Sequence, residues 1–373
     1  MKITQLILYP IRVPLRKPLR WGAFEVNEKS SVIVKIVTDE GAYGVGECGL
    51  SARFFEEVQA TIKWLAPHLI GQNPLEIGRL WQKMYSLTHQ WGRRGVQTYA
   101  LSGVDIALWD LMGKIAEQPI HRMLGTVHDE ILAYYAPSLK PSGEIAPEAA
   151  EAVEAGFRAI KVRTGLGEKE DLAIIREVRR AVGEDVVVMV DANMAYDLKT
   201  AKRMADVFAE YNVYWLEEPV RVHGLHQYVE MLKAMREYTP IYIAGGECLF
   251  TRFEFTELLS QRAVDIVQPD CTTVGGITEA KKIASMAEAW DVMFVPHVAC
   301  SSIGAVGLAA AVQVLASSPN AQYVEYDPYE TEVRHRLATG VPQVEQGRIR
   351  VPMRPGLGIE IDWEAVKHYL AER

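Results

Sequence analysis

The chain opens with alternating apolar and polar positions and then changes rhythm twice. From Ser30 to Glu47, the run SSVIVKIVTDEGAYGVGE sets Val32, Val34 and Ile36 on one face and breaks at Asp39-Glu40-Gly41. A period of two closed by a turn predicts a β-hairpin. From about Phe54 to Leu124 the spacing becomes helical, with Ala100, Val104, Ala107, Leu108 and Leu111 on one stripe. Strands followed by helices predict an α+β unit over residues 1–125.

From about Ile131 short apolar runs alternate with amphipathic ones. The strand cores read ILAYYA, AIKVR, VVVMVDAN, YWLEEP, IYIAGGE, VDIVQPD, VMFVPH and QYVEYD. Runs such as EKEDLAIIREVRRAV and LKTAKRMADVFAEY lie between them. Eight strands and seven helices, in units of about 25 to 30 residues, predict a closed parallel barrel over residues 126–329. An open doubly wound sheet is the structural rival, but it carries a Gly-rich phosphate loop after its first strand. Tyr135-Ala136-Pro137-Ser138 is no such loop. Beyond about Tyr329 the sequence turns irregular and strand-like again, and residues 330–373 are expected to pack back on the N-terminal unit.

Composition narrows the class of protein. With 373 residues, 49% hydrophobic and 24% charged, the chain suits one large globular domain plus a smaller one. A net charge of −8 argues against nucleic acid or an acidic membrane as partner, since both need a basic face. It leaves an anionic small molecule open. Cys48, Cys248, Cys271 and Cys300 are scattered without CxxC spacing, as expected for reduced thiols. The N-terminal run MKITQLILYPIRVPLRKPLRW holds prolines and arginines where a signal peptide needs an apolar stretch. A cytoplasmic protein is the expectation.

Chemistry concentrates where strands end, the face on which barrels of this kind carry their active sites. Lys161 and Arg163, Asp191 and Asn193, Glu217, Glu247, Asp270, His297 and Glu325 all stand there. From Arg163 onward the successive spacings are 28, 26, 30, 23, 27 and 28 residues, skipping Asn193. One βα unit separates each from the next, so they converge on one mouth. A single acid at such a place reads as a helix cap or an ion-pair partner; a whole series in phase does not. Asp191, Glu217 and Glu247 on consecutive strands would repel one another without a cation, and an all-oxygen set suits Mg²⁺. Lys161 and Arg163, two apart, share a face and read as counter-ions or as the contact for a substrate carboxylate. Asp270 beside His297 would orient the ring and raise its pKa, which makes a general base. This set suits removal of a proton next to a carboxylate, whose doubly negative enediolate a divalent cation and fixed cationic side chains stabilise. Glu325, if protonated, could donate to one of those oxygens.

KVR (161–163), VDAN (190–193), LEEP (216–219), GGE (245–247), QPD (268–270), VGG (274–276) and PH (296–297) resemble the enolase superfamily, specifically its mandelate racemase subgroup. ALSGVDIALWDLMGK (100–114) is similar to that family's signature helix in the capping domain. The resemblance implies a modified (β/α)7β TIM-type barrel under an α+β cap completed by the C-terminal segment. It implies one Mg²⁺ per subunit on Asp191, Glu217 and Glu247, a His297–Asp270 dyad, Lys161 on the substrate carboxylate and Glu325 as the acid beside it. Asn193 would stand near the metal. Loops around Trp21–Phe24 and Ser51–Phe54 would close over the barrel, with Trp21, Phe24 and Phe54 setting substrate preference. A homo-oligomer, from dimer to octamer, is also implied.

One departure matters most. The family's KxK motif supplies a second lysine base, and here Arg163 stands in its place. Arginine keeps its proton at any ordinary pH. With one good base, racemisation is the lesser expectation and β-elimination the greater, as in dehydration of an acid sugar to a 2-keto-3-deoxy acid. Cycloisomerisation of a sugar lactone or anhydrosugar acid and epimerisation are the alternatives, with a non-catalytic binding protein as the remote one. His89, Trp91, Arg93 and Arg94 form a polar–aromatic cluster that the sequence does not place.

Overall fold

The computed structural model describes residues 1–49, 54–300, 302–329 and 331–371. The predicted hairpin is β2 (Phe24–Thr38) and β3 (Tyr43–Cys48), joined on its other edge by a long β1 (Ile3–Trp21) that pairs antiparallel with β2 from Ile3↔Thr38 to Trp21↔Phe24. Four helices follow, α1 (Phe55–Leu69), α2 (Ile77–Thr88), α3 (Val96–Ile115) and α4 (Ile120–Leu124). Val32, Val34 and Ile36 meet Ala100, Leu101, Val104, Ala107 and Leu111 in one buried cluster. The sheet lies unusually close to α3. A Cβ on Gly44 would fall 2.1 Å from the Ala107 carbonyl oxygen and one on Gly46 1.9 Å from that of Gly103, so only glycine fits at either place.

Eight parallel strands then alternate with seven helices. They are β4 (Glu130–Tyr135), α5 (Ser142–Glu154), β5 (Ala159–Arg163), α6 (Glu168–Val182), β6 (Val187–Asp191), α7 (Leu198–Glu210), β7 (Val213–Glu217) and α8 (Leu225–Arg236). The second half is β8 (Tyr242–Gly245), α9 (Thr251–Ser260), β9 (Ile266–Val267), α10 (Gly276–Ala289), β10 (Met293–Phe294), α11 (Ala305–Leu315) and β11 (Tyr323–Tyr326). Sheet order follows chain order from β4 to β10; β11 pairs with β4, and a Phe294↔Ala321 bridge closes the ring. Tyr134, Met189, Trp215, Ala244, Ile266 and Tyr323 fill the interior, while Ile160, Val162, Val188, Val190, Leu216 and Val324 face the helices. Alternation therefore turns Lys161, Asp191, Glu217 and Glu325 inward.

The C-terminal segment departs from expectation in part. It runs through α12 (Thr331–Leu337), β12 (Ala338–Thr339), β13 (Val344–Glu345), β14 (Arg348–Arg350), β15 (Glu360–Ile361) and α13 (Trp363–His368). Before returning to the cap it adds the β13–β14 hairpin to barrel strand β4, with Arg348 opposite Leu132. The reason is an open edge: β4 meets β5 only at Tyr135↔Ile160, and β14 covers the groups below. The return to the cap is then as expected. Trp363 packs on Tyr9 with ring centroids 4.9 Å apart, and Ala371 N donates to Pro10 O at 2.8 Å.

Buried polar side chains lock cap to barrel. Asp105 on α3 accepts from Thr278 N at 2.9 Å and from Thr278 Oγ1 at 2.6 Å, and Ser102 Oγ accepts from Gly275 N at 2.8 Å. Glu47 of β3 accepts from Gly304 N at 3.3 Å and Gly307 N at 2.9 Å, where a carboxylate complements the first turn of α11. Among the described residues no helix is long and apolar enough to cross a membrane.

Candidate active site

Lys161 stands at the centre of the mouth and is fully buried. Its Nζ lies 2.8 Å from Glu217 Oε1, 2.9 Å from Glu325 Oε1 and 3.5 Å from Asp191 Oδ2, with the Tyr134 ring as a floor 5.4 Å away. Burial works against the charge, but Glu217, Glu325, Tyr134 and Asp191 outweigh it and hold the pKa well above the usual lysine value. Lys161 is a fixed cation.

Arg163 is tied down as firmly. Its Nη1 donates to Asp191 Oδ2 and to Asn193 Oδ1, both at 2.7 Å, and its Nε to Pro137 O at 3.2 Å. Asp191 overcomes the penalty of burial and drives the pKa further up. Of the two expectations for Arg163, counter-ion or contact for a substrate carboxylate, its bonds to Asp191 and Asn193 match the first. Asn193, placed near the metal by resemblance, spends its side-chain oxygen on this guanidinium, and its backbone N–H bonds Asp191 Oδ1 at 2.9 Å.

His297 and Asp270 form the anticipated pair. Nδ1–H donates to Asp270 Oδ2 at 2.9 Å, while Nε2 lies 3.3 Å from Glu247 Oε2 and 4.0 Å from Glu325 Oε2. Asp270 cannot swing away, because Thr272 N (2.7 Å), Thr272 Oγ1 (2.6 Å) and Ala299 N (3.2 Å) all donate to it. Burial disfavours a charged ring, yet Glu247, Glu325 and Asp270 prevail and push its pKa up to about 10.

The sequence makes Glu325 a donor on condition that it holds a proton. Despite burial, Lys161, His297 and Arg163 hold its carboxyl down at about 2, and Val298 N donates to Oε2 at 3.0 Å. It is therefore an ionised acceptor here, not a protonated donor. Glu217 goes the other way. Burial, with crowding by Asp191, Glu325 and Glu247, outweighs Lys161 and pushes it up to about 7. Its Oε2 is buried without a hydrogen-bond partner among the described residues.

That orphaned oxygen tests whether the residues fit a metal. Among the described residues no three His, Cys, Asp or Glu side chains already form a cage, because these carboxylates turn onto Lys161, Arg163 and His297. Still, three inward acids on consecutive strands, one with a lone oxygen unused, are the hard donor set that Mg²⁺ takes. The residues fit the ion.

The remaining marks divide. The turn after Trp21 reaches the mouth: a Cβ on Gly22 would lie 3.0 Å from Asn193 O, and Leu139 N donates to Arg20 O at 2.8 Å. Trp21 and Phe24 pair with centroids 6.1 Å apart, and Phe24 and Phe54 are among the exposed large apolar side chains. Ser51, Ala52 and Arg53 of the second loop lie outside the described residues. His89 stacks on Tyr85 at 5.5 Å and Arg94 pairs with Glu254, so that cluster belongs to the seam between α2 and α9. Thr272 escaped sequence reasoning. Its place two residues after Asp270, where a hydroxyl can cap a carboxylate, was the available signal.

Residues 3–125 match the family model of the mandelate racemase / muconate lactonizing enzyme N-terminal domain, and residues 144–366 that of the enolase C-terminal domain-like family. The chain is 34% identical to D-galactarolactone cycloisomerase of Agrobacterium fabrum, covering 99% of each chain. It is 35% identical to arabinonate dehydratase of Saccharolobus solfataricus, covering 88% of each. The crystal structure of L-talarate dehydratase from Polaromonas sp. JS666, complexed with Mg and L-glucarate, superposes with a TM-score of 0.89 at 30% identity, covering 100% of this chain and 98% of that one.

Proposed function

The chain belongs to the mandelate racemase / muconate lactonizing enzyme family of the enolase superfamily, and from that premise we propose that it dehydrates an acid sugar. It would remove the α-proton of a hydroxylated carboxylate and expel the β-hydroxyl, and the enol formed would become a 2-keto-3-deoxy acid. One observation carries this reading. A buried Arg163 locked on Asp191 stands where a second base would be needed, which leaves His297, among the described site residues, to take the proton.

Asp191, Glu217 and Glu247 would hold one Mg²⁺ per subunit, supplying the positive charge that the substrate carboxylate needs as its α-proton leaves. Lys161, which keeps its proton, binds one carboxylate oxygen. His297 takes the α-proton at Nε2 while Asp270 holds the Nδ1–H and the plane of the ring. Glu247 lies 3.3 Å from Nε2, and its engagement elsewhere removes one of the carboxylates that keep the ring protonated. Once charged, the imidazolium is the acid available to the leaving oxygen. Glu325 enters as an acceptor for Lys161 and becomes a donor only if a negative substrate oxygen beside it raises its pKa. The substrate in this reading is a small carboxylate, and the protein a cytoplasmic homo-oligomer.

Incubation with acid sugars in deuterium oxide tests the reaction. Loss of water with one deuterium at C3 is expected; exchange at C2 without elimination would sink it. A second reading keeps the same residues and expels a ring oxygen instead, favoured by the 34% identity to a lactone cycloisomerase. A product that gains one deuterium at C3 without losing water would select it.

A further inference from the structure

Two residues beyond Glu325, β11 ends at a charged cluster that the chemistry above does not use. Asp327 pairs with Lys29, which β2 of the cap sends down, and Lys29 Nζ also donates to Tyr329 O at 2.8 Å. Arg334 on α12 closes the group, with Nη2 3.2 Å from Asp327 O and 3.4 Å from Asp327 Oδ2. Lys29, Asp327 and Arg334 are 2%, 3% and 2% exposed, nearly as buried as Lys161 and Glu325. Yet Arg334 keeps two buried donors, Nε and Nη1, without a hydrogen-bond partner among the described residues.

We propose that Lys29 and Asp327, backed by Arg334, bind the far end of the substrate through its hydroxyl groups, so that the site selects monocarboxylic polyhydroxy acids over dicarboxylic ones. This assignment rests on the acid-sugar reading. Position supports it first. Asp327 follows Glu325 by two residues, so it lies on the same side of the strand line, about 6.6 Å further out towards the cap. That step matches the reach of an extended sugar acid whose carboxylate sits at Lys161 and Glu325. The cluster also lies close to the barrel mouth. Cys300 Sγ lies 3.9 Å from Arg163 Nη2, and both Lys29 and Asp327 act electrostatically on that thiol.

Charge decides which far end fits. Lys29 and Arg334 are balanced by Asp327 and by Glu47, whose carboxylate bonds Gly304 N beside the Arg334 side chain. A second carboxylate would bring an unmatched charge against Asp327. A hydroxyl can donate to Asp327 and accept from Lys29 or from the idle donors of Arg334, which satisfies both sides. The rival is a clasp that only holds the cap to the barrel.

Steady-state kinetics on aldonates and aldarates of equal chain length separates the two. For the wild type, kcat/KM is expected to favour aldonates by at least about tenfold. Asp327→Asn should narrow or reverse that ratio, and Lys29→Met should raise KM for the aldonate more than it lowers kcat. A wild-type preference for aldarates overturns the assignment and needs no variant. A ratio unmoved in folded variants that melt earlier overturns it in favour of the clasp. Turnover of neither class overturns both this assignment and the reading beneath it.

Discussion

Replacing Arg163 by lysine tests the one-base argument directly. The guanidinium makes two bonds of 2.7 Å, to Asp191 and Asn193, and one of 3.2 Å to Pro137 O. An ammonium keeps the charge beside Asp191 but loses the planar fork. Hydrogen bonds from charged groups contribute about 1.5–3 kcal/mol each, and partial replacement leaves a loss of about 2 kcal/mol. An unfolding entropy of about 2.1 cal/mol/K per residue over 373 residues turns that into a fall in Tm of about 2–3 °C. Methionine strands Asp191 as a buried charge, which costs about 3–5 kcal/mol and lowers Tm by about 4–6 °C. Proton NMR in deuterium oxide reads the chemistry. Wild type should eliminate water from one C2 epimer alone and leave the α-proton of the other unexchanged, and Arg163→Lys should begin to exchange the other. Comparable exchange of both epimers by wild type would refute the reasoning, since Arg163 would then be acting as a base.

His297→Asn should lower kcat by at least about 10²–10⁴-fold with the thermal transition preserved, and full turnover by this variant would end the proposed mechanism. Asp270→Asn should retain the ring but misdirect its tautomer, which a shifted pH profile of kcat/KM would reveal. Calorimetry of Mg²⁺ binding in two buffers should show proton release at pH 6, because Glu217 keeps a proton up to about 7. A binding heat independent of the buffer would contradict that. Glu325 has its folded pKa depressed from 4.5 to about 2, so its stabilisation is present above 4.5 and lost as pH falls towards 2. Tm measured down the acid limb should fall less steeply in Glu325→Gln.

How much was legible follows from where each partner lies. The barrel and the inward phase of Lys161, Asp191, Glu217 and Glu325 are written in local alternation, which a pleated strand obeys wherever it sits. Features set by distant partners are not. Lys29, in the polar run NEKSS, reads as a solvated position, and the Asp327 that buries it lies 298 residues away. Asp105 likewise reads as the wet face of α3 until Thr278 arrives from the barrel. The β13–β14 hairpin was hidden because the short pairing of β4 with β5 is a matter of register, not composition. For Glu325 the sequence leaves the protonation state open. Its position follows from the strand, but its ionisation follows from the sum of three cations on other strands.

That sum also explains why two site residues hold protons so tightly. Asp191, Glu217, Glu247, Asp270 and Glu325 carry five formal negative charges, and Lys161 and Arg163 carry two positive ones, leaving 2 − 5 = −3 while His297 is neutral. Glu218 does not add to the deficit at neutral pH, since burial and the nearby Glu247 push it up to about 8 against the opposing bond that Tyr228 Oη donates at 2.7 Å. A buried shortfall of three charges is costly, and protons are the nearest remedy. Glu217 pushed up to about 7 and His297 pushed up to about 10 are two responses to that shortfall. A divalent cation on the same carboxylates offsets two of the three, and with them much of the reason for His297 to keep its proton. The site that would bind Mg²⁺ and the base that would take the α-proton are thus one electrostatic unit.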